Sequence, residues 1–105
     1  MAKKYLAGKL TLRTILKAIE SRIPEISRFE VKKLGLFGSY LHGKQKKESD
    51  IDLLVDFTKP SFDQYMDLKF YLENLFRKKV DLVMEKSLKP ALQYVKKEAA
   101  YVKGL

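Results

Sequence analysis

The chain lacks cysteine altogether and has only three prolines and five glycines in its 105 residues. The absence of cysteine excludes disulfide bonds and thiolate metal sites, and it fits a reducing compartment. No apolar run is long enough to span a membrane. The first ten residues carry three lysines but not the apolar centre of a signal peptide. We therefore expect a cytoplasmic protein with no membrane segment.

Acidic residues are also in the minority, at 13 against 22 basic residues, which gives a net charge of +9. Such a charge attracts anionic partners such as nucleotides, nucleic acid or an acidic protein. Of the basic residues 18 are lysines, which are mobile point charges and read bases less well than arginine does. We therefore expect neither sequence-specific DNA binding nor nucleic acid as the direct ligand.

A chain of this length, with 46% hydrophobic and 33% charged residues, is typical of one ordinary globular domain. We expect a single domain over residues 1–105 with a core over about residues 11–102. The first ten residues show no clear period, so we expect them to fray or to add a short edge segment. The sequence contains no internal repeat and no low-complexity linker.

Hydrophobic periodicity predicts three helices and three strands. Apolar residues at helical spacing run from an N-cap at Thr11 to Ile23, and a capping box at Ser61 starts the longest helix. Pro90 starts a third helix, while the last six residues remain unassigned. The predicted strands are residues 31–37, 50–57 and 79–84, with a short helical turn over 39–43 and a polar loop over 44–49.

Two carboxylates open the second predicted strand, because Asp50 and Asp52 alternate with Ile51 and Leu53. Alternate side chains of a strand share a face, with Cα atoms about 6.5–7 Å apart. Two carboxylates this close repel each other unless a cation lies between them, and Mg²⁺ prefers oxygen ligands. The pattern therefore predicts a magnesium site. We expect these aspartates at a hydrated rim rather than in the core.

This interpretation depends on other residues, since an Asp-X-Asp pair alone also occurs by accident in acidic surface loops. A third acid, Asp81, stands at the head of another apolar run, and a Gly-Ser pair, Gly38 and Ser39, ends the first strand. Asp56 shares the face of the aspartate pair but lies further along it, so we interpret it as structural.

Gly38-Ser39, ten intervening residues, Asp50-Ile51-Asp52 and the later Asp81 together resemble the signature of the DNA polymerase β-type nucleotidyltransferase superfamily. The length and layout resemble its smallest members, the minimal nucleotidyltransferase (MNT) antitoxins that accompany HEPN-domain toxins. The resemblance covers residues 11–102. It implies an α+β fold, with a small mixed β-sheet and helices packed mainly on one face.

The resemblance also implies a chemistry, the transfer of AMP from ATP to a hydroxyl. Asp50, Asp52 and Asp81 would be the catalytic and metal-binding residues holding two Mg²⁺ ions, and Gly38 and Ser39 would bind the triphosphate. In HEPN/MNT pairs the implied acceptor is a tyrosine of the toxin. One departure is visible, because this chain has His42 where the family often has arginine; we do not expect this histidine to be a catalytic base.

Two other functions remain open at this stage. The chain could be a catalytically silent antitoxin that neutralises its partner by stoichiometric binding, although the complete aspartate set argues against decay of the site. It could also transfer a nucleotide to a small molecule or to RNA. Assembly as a homodimer and assembly with a HEPN partner are both compatible with the sequence.

Overall fold

The computed structural model describes residues 9–105, so the prediction that the first ten residues fray lies almost wholly outside the described part. None of the helices found in residues 9–105 combines the length and the apolar character needed to cross a bilayer. In chain order the elements are α1 (Leu12–Glu20), α2 (Ile23–Ile26), β1 (Val31–Phe37), β2 (Ile51–Phe57), α3 (Phe62–Phe76), β3 (Val80–Met84), α4 (Tyr94–Glu98) and β4 (Ala100–Tyr101).

The strands form one mixed sheet in the order β3-β2-β1-β4. β1 runs antiparallel to both β2 and β4, whereas β2 and β3 are parallel. Parallel neighbours require a crossover connection, and α3 supplies it between β2 and β3. The predicted small mixed sheet is therefore confirmed.

One face of the sheet carries the main hydrophobic core. Alternate residues of the strands point to this face and are buried, as expected for period-two side chains: Leu34, Leu36, Ile51, Leu53, Val55, Phe57, Val80 and Leu82. The helices α1 and α3 cover them with Ile15, Ile19, Leu68, Leu72 and Phe76. Each fully buried leucine or isoleucine contributes roughly 1.5–3 kcal/mol. The prediction that helices pack mainly on one face is confirmed.

The opposite face of the sheet is only partly covered. Leu54 is completely buried there without belonging to the main core cluster. The short turn Glu85–Ser87 contacts β2 on its way out of β3. The start of β2 is less enclosed, and Asp52 is only half-buried. The predicted site residues lie at this uncovered corner of the sheet, where β1 ends and β2 and β3 begin.

Local sequence signals predicted the starts of α1 and α3 correctly. Thr11 caps α1 through a reciprocal capping box with Thr14, and the Ser61 side chain accepts a hydrogen bond from the backbone N–H of Gln64. The first helix ends at Glu20, whereas the predicted helix runs to Ile23. Pro24 instead occupies the first turn of the separate helix α2, a position where its missing N–H costs nothing.

Two other expectations need correction, and one segment that the sequence left unassigned contains a strand. Residues 38–43 form successive turns where the sequence predicted one short helical turn over 39–43, and the segment after Pro90 is broken into a 3₁₀ turn and the short α4. The unassigned C-terminal residues contain a strand, because β4 pairs with the middle of β1. Gly35 accommodates that pairing, since a Cβ there would lie 2.9 Å from the Tyr101 ring.

Tyr101 fixes β4 to the turn after β3. Its hydroxyl donates to the buried Glu85 carboxylate at 2.6 Å, and Lys33 lies 3.6 Å from the same carboxylate. Burial and this carboxylate raise the pKa of Tyr101. We expect Tyr101→Phe to lower the free energy of unfolding by about 1–3 kcal/mol, because a buried acceptor loses its donor. Urea denaturation checks this, and an unchanged midpoint would show that Lys33 alone satisfies Glu85.

Candidate active site

The Gly-Ser pair forms a tight backbone turn at the end of β1. Gly38 has a φ of +75°, a conformation that side chains other than glycine rarely adopt. The turn closes on itself, because the His42 N–H donates to the Gly38 carbonyl at 3.3 Å and the Lys44 N–H to the Ser39 carbonyl at 2.9 Å. A turn of this kind can direct backbone N–H groups toward an anion without a helix.

The turn lies directly against Asp52. In the β1–β2 register Phe37 is paired with Asp52, which places the next residue, Gly38, beside the carboxylate. A Cβ on Gly38 would lie 2.8 Å from Asp52 Cγ and would collide with Oδ2. The Ser39 backbone also makes a hydrogen bond that lowers the pKa of Asp52. Glycine is therefore required here by both the backbone conformation and the space.

The three aspartates converge on the same corner of the sheet. Asp52 is paired in register with Asp81 on the parallel strand β3, and neighbouring strands lie about 4.8 Å apart. Asp50 precedes β2 and is exposed, as is Asp81, whereas Asp52 is half-buried. The expectation of a hydrated rim is thus met by Asp50 and Asp81, but Asp52 is partly withdrawn from water.

Withdrawal from water and mutual repulsion leave Asp52 in an unfavourable position for a negative charge. Burial, then the charges of Asp81 and Asp50, raise its pKa from 3.8 to about 6. These carboxylates are the hard oxygen donors that Mg²⁺ selects, and a cation among them would remove the repulsion. The donor set therefore fits the ion that the sequence predicts.

The protein groups do not complete a metal shell on their own. Within residues 9–105, no three histidine, cysteine or carboxylate side chains already stand together as a metal site. Mg²⁺ typically binds through one or two carboxylates, with substrate phosphates and water supplying the remaining ligands. The arrangement suits an ion that arrives with a phosphorylated substrate.

The raised pKa of Asp52 predicts a pH dependence of stability in metal-free buffer. Between pH 3.8 and about 6 the folded state keeps a proton that the unfolded state has released. The free energy of unfolding should therefore fall as the pH rises through this window, and should level off above it. Urea denaturation at a series of pH values checks this. The difference between wild type and Asp52→Asn isolates the contribution, and identical pH profiles would contradict the raised pKa.

Two other polar residues that the sequence singled out, Asp56 and His42, do not join the carboxylates. Asp56 lies at the far end of β2, opposite Lys33. His42 points to the C-terminal helix α4, where its Nε2 lies 3.4 Å from Glu98, and both side chains are half-exposed. No local pattern indicates this contact, because it joins residues that are 56 positions apart.

The fold and the site define a class of enzyme. Residues 12–102 match the family model of the nucleotidyltransferase domain, and the chain belongs to this family. The prediction of a nucleotidyltransferase is confirmed. Within the family it belongs with the protein adenylyltransferases: it is 43% identical over 96 residues to protein adenylyltransferase MntA of Thermococcus cleftensis, an alignment that covers 89% of this chain and 97% of that protein.

Solved structures show the same fold. A minimal nucleotidyltransferase superimposes with a TM-score of 0.75 at 32% identity, covering 88% of this chain and 96% of the other. A toxin–antitoxin with AMP-PNP gives a TM-score of 0.65 at 28% identity, covering 82% of this chain and 73% of the other. The resemblance to minimal nucleotidyltransferases that the sequence motif suggested is therefore confirmed.

Proposed function

We propose that this protein is a Mg²⁺-dependent adenylyltransferase of the cytoplasm, which transfers AMP from ATP to a tyrosine hydroxyl of a HEPN-type toxin and thereby acts as its antitoxin. The observation that carries the proposal is the contact between the Gly38 turn and Asp52, within a cluster that includes Asp50 and Asp81. The relatives support it, since one is a protein adenylyltransferase and another was solved as a toxin–antitoxin with an ATP analogue.

Each part of the corner has a distinct task. The N–H groups of the Gly38-Ser39 turn and the Ser39 hydroxyl bind the β- and γ-phosphates of ATP. Asp50 and Asp52 would hold two Mg²⁺ ions, and Asp81 would complete the set. When bound, such ions neutralise phosphate charge and acidify the attacking hydroxyl. Most of the rate then comes from positioning the acceptor in line with the α-phosphorus, from which pyrophosphate departs.

The attacking hydroxyl must lose its proton, and Asp81 is one of the two exposed carboxylates of the set, with Asp50. Because an aspartate carboxylate is a far weaker base than a tyrosine phenolate, Asp81 acts first as a ligand and second as a proton acceptor. Because Asp50 and Asp81 are both exposed at the sheet corner, a tyrosine on a protein surface can approach them. This favours a protein acceptor over a small molecule.

The experiment that tests the proposal is intact-mass measurement of the protein and its candidate toxin after incubation with ATP and Mg²⁺. We expect an increment of one or more AMP groups on the toxin, and none when Mg²⁺ is replaced by EDTA. Peptide mapping should locate the modification on a tyrosine. A parallel assay of toxin activity should show inhibition that requires ATP.

The outcomes separate the rival functions. Tight binding and full inhibition of the toxin without ATP, with no mass increment on either protein, would replace the proposal by stoichiometric neutralisation. A mass increment on RNA or on a small molecule, with the toxin unmodified, would keep the nucleotidyltransferase activity and change the acceptor. Modification of serine or threonine alone would contradict the tyrosine assignment.

A further inference from the structure

A second concave site lies beside the loop that joins β1 and β2. The cavity has a volume of about 570 Å³, which is within the usual range for small-ligand sites. Tyr40, a member of the main core, forms part of its wall, and the loop residues Gln45, Lys46 and Lys47 form another part. None of the predicted active-site residues lines it.

The cavity is strongly basic. Its lining contains four lysines and, among the described residues, no acidic side chain: Lys9, Lys46, Lys47 and Lys78. In residues 9–105 none of these ammonium groups lies within ion-pair distance of a carboxylate. The Lys78 Nζ donates to the Lys47 carbonyl at 2.8 Å, which holds one of the charges at the wall. Four like charges without counter-charges favour an anionic ligand.

The cavity also holds hydrogen-bonding groups that an anion alone does not satisfy. Gln45 Oε1 is buried and has no hydrogen-bond partner in the described part of the chain. Its Nε2 donates to the Leu10 carbonyl at 3.5 Å, which sets the orientation of the amide. A buried acceptor without a donor costs about 1–3 kcal/mol. A ligand that carries a hydroxyl beside its phosphate would supply that donor.

We propose that this cavity binds a phosphorylated ribose, either a free nucleotide or a nucleotide of an RNA strand. Lysines at the wall would contact the phosphate, and Gln45 would accept a hydrogen bond from a ribose hydroxyl. The cavity lies beside Tyr40 and Leu10, next to the main core, whereas Asp52 is on the other face of β2. Binding here therefore requires neither the aspartates nor Mg²⁺.

The test is titration calorimetry in EDTA with ADP, pyrophosphate and a short 5′-phosphorylated RNA as probes. EDTA suppresses metal-dependent binding at the aspartates. We expect Lys46→Gln/Lys47→Gln to weaken ADP binding by roughly tenfold or more, because it removes charge-assisted contacts. The matched control is Lys32→Gln/Lys59→Gln, which removes two exposed charges at the opposite end of the sheet.

A third variant tests the hydroxyl contact. Gln45→Met should weaken ADP binding several-fold and leave pyrophosphate binding unchanged, since only the nucleotide carries a ribose. Tighter binding of the RNA, with the same dependence on Lys46 and Lys47, would support the site and would identify RNA as the source of the phosphorylated ribose. Absence of saturable binding to all three probes, or equal losses in the two double-lysine variants, would overturn the proposal. Equal sensitivity of ADP and pyrophosphate to Gln45→Met would overturn the ribose assignment.

Discussion

Replacing Asp52 by asparagine should reduce AMP transfer by roughly a thousandfold, which corresponds to about 4 kcal/mol of transition-state stabilisation. Asparagine keeps the size of the side chain and an oxygen that can accept the Ser39 hydrogen bond, but it removes the charge that would hold the metal. The fold should survive. The free energy of unfolding at pH 7 should even increase, because the ionised carboxylate is disfavoured by burial and by Asp81 and Asp50.

The control for this variant is Asp56→Asn. Asp56 lies on the same strand and the same face, and it is half-buried like Asp52, but it stands opposite Lys33, away from the other two aspartates. The Asp56→Asn variant should transfer AMP at close to the wild-type rate. Rates from intact-mass time courses, combined with denaturant unfolding, measure both effects. Wild-type turnover in Asp52→Asn, or equal losses in the two variants, would contradict the assignment of the site.

The positions of the proposed site residues could be predicted from the sequence more fully than most of their surroundings, and the reason is geometric. The alternation of Asp50 and Asp52 with buried neighbours fixes a face locally, and the glycine before Ser39 marks a turn. These features depend on residues close in sequence. The strand Val31–Phe37 and the helix cap at Ser61 were predictable for the same reason.

The features that the sequence did not reveal depend on contacts between distant segments. β4 is two residues long and exists because Ala100 and Tyr101 meet the middle of β1, which no local pattern indicates. The partial burial of Asp52 likewise follows from packing of the Gly38 turn against it. The segment predicted as a short helical turn over residues 39–43 forms successive turns, because Gly38 before it and Gly43 at its end both adopt positive φ.

Replacing Gly38 by alanine should damage both stability and transfer. An alanine at φ +75° costs roughly 1–2 kcal/mol in backbone conformation. Its Cβ would also lie 2.8 Å from Asp52 Cγ, so that the turn or the carboxylate must move. Since either movement separates the aspartates from the N–H groups that we propose bind the phosphates, we expect transfer to fall by at least about a hundredfold.

Gly43→Ala separates the two causes. Gly43 has a similar φ of +68°, but a Cβ there would meet nothing within 4 Å. The Gly43→Ala variant should therefore lose only the free energy of unfolding that the backbone conformation costs, and it should retain most of the transfer activity. Stability and transfer rates of both variants provide the comparison, and Asp52→Ala in the Gly38→Ala background should recover part of the excess destabilisation without restoring transfer. Equal effects of the two glycine variants would show that the contact between Gly38 and Asp52 is not what organises the site.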